Sequence, residues 1–141
     1  MILLDTDHVS VLKMPPSDRR NRLVGRMASR PDESFSIPVV TEETMRGWLS
    51  ALAKEKTAKR QVFAYRELGD MFRFFSKYVI APFDDPAADR FDSLRTAKVR
   101  IGTRDLKIAA IALVQDALLL TANKRDFEQV PGLRFENWMD Y

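Results

Sequence analysis

The chain has no cysteine in its 141 residues. That excludes disulfides, thiolate zinc sites and a cysteine nucleophile. Histidine is almost as scarce, with His8 the only one. A serine triad would have to use that residue, and no Gly-x-Ser-x-Gly elbow accompanies it. Gly-x-Gly-x-x-Gly and Walker-type loops are also missing, which argues against dinucleotides and nucleoside triphosphates. No apolar run approaches the roughly 20 residues of a membrane span. The N-terminus lacks a basic segment followed by a long apolar stretch, so no secretory signal is expected. The expected compartment is the cytoplasm, with no membrane partner. What is left for catalysis is mostly carboxylate chemistry.

The charges that are present nearly balance: 23 Lys and Arg against 20 Asp and Glu, a net charge of +3. Such a mild basic excess is compatible with nucleic acid without establishing it, so the distribution of charge matters more than its total. The length suits one domain with a real core, and a hydrophobic share of 45% fits a soluble globular protein. There is no internal repeat, low-complexity tract or linker, which leaves residues 1–141 as a single domain.

Apolar runs alternate with helical patterns along the whole chain. Met1 to Asp5 reads as a short buried strand, followed by a helix to about Lys13 that Asp7 can cap and Pro15-Pro16 stops. Ser17 or Asp18 caps a second helix to about Arg30, with Leu23 and Met27 on one side and Arg19, Arg22, Arg26 and Arg30 on another. Phe35 to Val40 is the second strand, and Pro38 within it calls for an edge position or a strand end. Thr41 caps the next helix. A long helix from about Thr57 to Lys77 carries an apolar stripe of Phe63 or Ala64, Leu68, Met71, Phe72 and Phe75.

Tyr78 to Ala81 forms a third strand, and Pro86 opens a helix to about Lys98. Thr103 caps another through Gln115, with Leu106, Ala109, Ala110 and Leu113 facing inward. Leu118 to Thr121 and Arg134 to Glu136 complete the strands. The fold class that follows is α/β, a mainly parallel sheet of four or five short strands flanked by helices.

On that frame the acids have a pattern. Asp5 ends the first strand, Glu43 follows the second, Asp105 opens the helix after Ile101-Gly102, and Asp126 lies just past the fourth. In a parallel sheet such positions converge on one edge. Converging hard oxygen donors suit Mg²⁺ or Mn²⁺ chemistry on phosphate. Each residue also has a plainer reading. Asp5 can be a cap, Glu42, Glu43 and Asp105 can be first-turn acids that favour the helix dipole, and Asn123 and Asp126 can be ordinary loop polarity. The combination, one acid after each of several strands, is stronger than any member.

Four ordered segments carry a family resemblance: Leu3-Leu4-Asp5-Thr6-Asp7, Thr41-Glu42-Glu43-Thr44-Met45-Arg46-Gly47, Ile101-Gly102-Thr103-Arg104-Asp105-Leu106-Lys107-Ile108-Ala109, and Leu120-Thr121-Ala122-Asn123-Lys124-Arg125-Asp126-Phe127 continuing through Val130-Pro131-Gly132-Leu133 to Trp138. The chain resembles the PIN-domain ribonucleases, specifically VapC-type toxins of bacterial toxin–antitoxin pairs. The resemblance implies a PIN-like fold and Mg²⁺- or Mn²⁺-dependent endoribonuclease activity on tRNA, rRNA or mRNA. It maps the catalytic, metal-binding acids onto Asp5, Glu43 and Asp105. Glu43 is preferred over Glu42 because it stands four residues before Gly47.

Thr6 matches a supporting hydroxyl. The fourth acid of many such domains falls where this chain has Asn123, and the nearby Asp126 is the substitute. Arg46, Arg104, Lys124 and Arg125 are the expected RNA contacts, with the Arg19/Arg22/Arg26/Arg30 face as a further candidate or else a solvated or antitoxin-contacting surface. The resemblance also implies a homodimer and a cognate antitoxin, with Val9 to Leu12, Leu23 to Met27 and Trp48 to Leu52 as contact segments.

Two other readings stand beside this one. Asp5-Thr6-Asp7-His8-Val9 superficially fits the nucleophile motif of haloacid dehalogenase-type phosphatases, but Gly69-Asp70 falls inside a predicted helix with no acid following at the expected spacing. A PIN fold with weakened catalysis, serving as an RNA- or protein-binding module, is the non-enzyme reading, supported by Asn123.

Overall fold

A computed structural model describes residues 1–140, except for the side chains of residues 42–44. Five strands form one parallel sheet in the order β3-β2-β1-β4-β5. They are β1 (Ile2–Leu4), β2 (Phe35–Pro38), β3 (Val79–Ala81), β4 (Leu118–Leu120) and β5 (Phe135–Glu136). The helices are α1 (Thr6–Lys13), α2 (Asp18–Ala28), α3 (Glu43–Lys54), α4 (Ala58–Phe75), α5 (Asp85–Thr96), α6 (Thr103–Val114) and α7 (Lys124–Phe127). The α/β class and parallel sheet expected from the sequence are both present.

Strand side chains alternate between the two faces, so the sheet divides the interior into two cores. Leu3 and Leu119 face one core with Phe91 and Leu94 of α5, Phe127 of α7 and the apolar run of α6. Ile2, Leu4, Ile37 and Leu120 face the other, with Val9, Val11 and Leu12 of α1, Leu23 of α2, and Trp138 and Met139. Helix α6 lies between the sheet and α5, which is why Leu106 and every residue from Ile108 to Ala112 are buried rather than a single stripe. Helices α3 and α4 share a smaller core of Leu52, Ala64, Leu68 and Met71.

Several local expectations are revised. Asp5, not Asp7, caps α1: its carboxylate accepts from the His8 amide at 2.9 Å, and Asp7 is exposed. Thr103 is already inside α6, whose cap position is Gly102, with no side-chain cap bond. Thr41 lies in a 3₁₀ turn, Val39–Glu42, that leads into α3. Pro38 ends β2, which is an interior strand, so the strand-end explanation holds and the edge explanation does not.

Phe63 and Phe72, included in the α4 stripe, are each 58% exposed. They sit at the margins of the face that meets α3. Within the antitoxin-contact segments, Val9, Val11, Leu12, Leu23 and Leu52 are buried and Val24 is exposed. Leu49 is exposed too. Among the described residues, no helix is long and apolar enough to cross a membrane.

Candidate active site

Strands run outward from β1 to β3 on one side and from β4 to β5 on the other, so the order reverses between β1 and β4. That reversal opens a crevice at the carboxyl ends of the two strands, where parallel α/β sheets place their sites. Asp5 stands at the end of β1, its amide donating to the Leu120 carbonyl of β4 at 3.0 Å. Thr121 follows β4, and its buried hydroxyl accepts from the Asn123 amide at 3.0 Å, folding the loop back toward Asp5. Asn123 then caps α7, which carries Asp126. Asp105 reaches the same place from the first turn of α6.

These groups are in contact or in mutual electrostatic range. The Asn123 amide nitrogen donates to Asp126 Oδ2 at 2.9 Å and to Asp105 Oδ2 at 3.4 Å. Loss of solvent pushes the Asp105 carboxyl above the usual range, the Asp5 charge pushes it further, and Asp126 adds to it. Arg104 and the Asn123 amide oppose the shift. Like charges gathered in a half-buried crevice account for that direction.

Asp5 is 5% exposed. His8, wholly buried, places Nδ1 at 3.0 Å from Asp5 Oδ1, the oxygen that also accepts from the His8 amide. Burial without pairing would be costly for a carboxylate, and His8 relieves part of that cost. The sequence by itself assigns His8 no partner. The spacing of three residues from Asp5 was the available signal for its contact.

The structure thus brings together Asp5, Asp105, Asn123 and Asp126. The side chain of Glu43, the fourth predicted acid, lies outside the described residues. Among the described residues, no three acidic or histidine side chains are close enough to enclose a metal ion by themselves. The donors present still suit a hard cation: they are carboxylate oxygens, and the charges of Asp5 and Asp126 both act on Asp105. Thr6 Oγ1, beside Asp5, is buried with no hydrogen-bond partner among the described residues. An orphaned hydroxyl at this position fits a site that takes a further polar occupant.

The basic residues divide into two groups. Arg46 on α3 and Lys124 and Arg125 on α7 are exposed, and Arg104 is half-buried with its charge acting on Asp105. The α2 arginines do something unforeseen, because they grip the C-terminal segment. Arg19 makes a two-pronged pair with Asp140 at 3.0 and 3.1 Å, Arg22 donates to the Met139 carbonyl at 2.6 Å, and Arg26 to the Asn137 carbonyl at 2.8 Å. Arg30 lies 5.3 Å over the Trp138 ring. Trp138 itself is a packing residue, set edge-on to Phe35, and Trp48 packs against Phe63.

No family model matches the chain. Curated relatives do. The chain is 31% identical over 85 residues to a tRNA(fMet)-specific endonuclease VapC of Salmonella typhimurium, covering 57% of this chain and 64% of that one. It is 35% identical over 69 residues to ribonuclease VapC2 of Rickettsia felis, covering 46% and 52%. A ribonuclease VapC of Rickettsia bellii aligns over 136 residues at 25% identity, covering 94% and 92%. The chain therefore spans between half and two thirds of the first two relatives and nearly all of the third.

Among solved structures, FitAB bound to an IR36 DNA fragment matches with a TM-score of 0.70 at 25% identity, covering 100% of this chain and 97% of that one. DNA-bound VapBC from Salmonella typhimurium matches in fold, with a TM-score of 0.68 at 23% identity and coverage of 98% and 99%. The resemblance to VapC-type PIN domains read from the ordered motifs is borne out in sequence and in fold.

Proposed function

We propose that this protein is a metal-dependent endoribonuclease, the toxin of a toxin–antitoxin pair, acting on RNA in the cytoplasm. The observation that carries the reading is the meeting of Asp5, Asp105 and Asp126 at the β1/β4 crevice in a chain similar to VapC ribonucleases.

Asp5, Glu43 and Asp105 would hold Mg²⁺ or Mn²⁺, with Asp126 or Asn123 completing the set and Thr6 supporting it. When bound, such a cation makes a water more acidic and offsets charge building on a phosphate. The chain's own residues supply the arrangement. His8 holds the Asp5 carboxylate in one orientation, and Asn123 ties Asp105 to Asp126. Arg46, Arg104, Lys124 and Arg125 would bind RNA phosphates and set the strand across the acids. Attack by water on the phosphodiester leaves a 5′-phosphate and a 3′-hydroxyl, whereas attack by a 2′-hydroxyl would leave a cyclic phosphate.

The protein partners proposed are the cognate antitoxin and a second copy of the chain. Supporting a protein partner is an apolar hollow of about 350 Å³ lined by Pro38, Val39, Phe72, Phe75 and Ile80, where Val39, Phe72 and Ile80 are 42%, 58% and 43% exposed. The binding-module reading rests on Asn123, whose amide stands where an acid would serve.

The test is cleavage of total cellular RNA with Mg²⁺, Mn²⁺ or EDTA, beside an Asp5→Ala/Asp105→Ala double variant. We expect discrete fragments with 5′-phosphate ends that vanish with EDTA and in the variant. Folded, antitoxin-free protein that binds RNA without cutting it would transfer the assignment to the binding module.

A further inference from the structure

Arg19, Arg22 and Arg26 of α2 and Arg30 just beyond its end fall three, four and four residues apart, and they meet the Asn137–Asp140 segment in a ladder. The segment is also locked locally. Asn137 Oδ1 accepts from the amides of Met139 and Asp140 at 2.9 and 3.2 Å, and its Nδ2 donates to Asp140 Oδ2 at 3.0 Å. Trp138 and Met139 are buried in the core shared by β1, α1 and α2. This strap is therefore clamped from outside by charge and anchored from inside by apolar burial.

The strap has one polar contact that stability alone does not call for. The Trp138 amide donates to His8 Nε2 at 3.3 Å. Nε2 must then be the nitrogen without a proton, so Nδ1 carries it and donates to Asp5 Oδ1 at 3.0 Å. His8 is wholly enclosed and has no freedom to satisfy these groups otherwise. A buried backbone donor 130 residues away in sequence thereby selects the tautomer that orients the Asp5 carboxylate.

We propose that the C-terminal strap and His8 form a positioning relay for the acid site: the α2 arginines hold the strap, the Trp138 amide fixes the Nδ1–H form of His8, and His8 aims Asp5. The proposal rests on the metal-site reading above. Outer partners of metal-ligating side chains act in this way, and removing one typically weakens metal affinity or activity by about 10- to 100-fold. His8 is a positioning residue here, acting through Asp5.

The single histidine makes the relay directly observable, because long-range ¹H–¹⁵N NMR gives one imidazole pattern. Wild-type protein should show the Nδ1–H tautomer. An Arg22→Gln/Arg26→Gln double variant, altered far from the acids and with a normal circular dichroism spectrum, should show tautomer averaging and about tenfold weaker Mn²⁺ binding by calorimetry. His8→Leu should weaken binding similarly, and His8→Asn, whose amide nitrogen can stand in for Nδ1 as donor to Asp5, should restore most of it.

An Nε2–H tautomer in the wild type would overturn the relay. So would an arginine double variant that keeps both the wild-type tautomer and the wild-type Mn²⁺ affinity, since a merely structural strap would lower thermal stability alone. Absence of Mn²⁺ binding by the wild type would overturn the metal reading itself, and this role for the relay with it.

Discussion

Replacing Asn123 with Asp isolates the contribution of one amide to the acid cluster. The Asn123 side chain has two jobs: its oxygen caps α7 by accepting from the Asp126 amide, and its nitrogen donates to Asp126 at 2.9 Å and Asp105 at 3.4 Å. Aspartate caps helices as well as asparagine does, so the first job survives. The second is lost and becomes repulsion. A hydrogen bond to a charged acceptor contributes about 1.5–3 kcal/mol. A new carboxylate near two others adds at most about 4 kcal/mol per close pair at an effective dielectric of 20.

All three side chains are partly exposed, so solvent screening reduces both figures substantially. About 2–3 kcal/mol remains as the destabilisation expected without metal. For a domain of this size that is roughly 7–10 °C in Tm.

The assay is thermal unfolding of both proteins in EDTA and across a Mg²⁺ titration. The cation binds the folded state and stabilises it by about 2.7 kcal/mol at one hundred times Kd. Because Asn123→Asp adds a hard oxygen donor, its Tm should rise more steeply with Mg²⁺ and approach or pass that of the wild type. Equal melting temperatures in EDTA would refute the role given to the Asn123 amide. Equal Mg²⁺ responses would refute the placement of residue 123 in the site.

Other outcomes follow from the same geometry. Asp105→Asn should raise Tm in EDTA at neutral pH: a carboxyl whose pKa is raised by folding destabilises the native state once ionised, and that penalty fades as pH falls through the folded value. The gain should therefore shrink in melts taken from above the folded value down toward the ordinary carboxylate value of 3.8, and be gone below it. Leu23→Ala, at a fully buried position joining α2 to the sheet, should cost about 2–5 kcal/mol in denaturant unfolding. Arg134→Ala removes an exposed pair with the Asp116 carboxylate and an exposed hydrogen bond to its carbonyl at 2.9 Å, and should change stability by about 1 kcal/mol or less in the same assay.

Much of the architecture was legible because it is written in short-range chemistry. Alternating apolar runs, capping residues such as Ser17, and prolines that end helices act within a few residues, so element type and order follow from the chain itself. The ordered acidic motifs were legible too, since a parallel sheet brings residues after successive strands to one edge.

What the sequence left open depended on partners distant along the chain. The choice of Asp5 over Asp7 as cap depended on how β1 meets α1. The α2 arginines have a spacing that suits RNA, solvent or protein equally, and only the placement of Asn137–Asp140 against α2 assigned them to the strap. His8 had no readable partner beyond Asp5, because the Trp138 amide reaches it only after both cores have packed. Local propensity selects the elements, but hydrogen bonds and charge pairs between remote residues exist only once burial has brought them together and removed the water that would otherwise satisfy them.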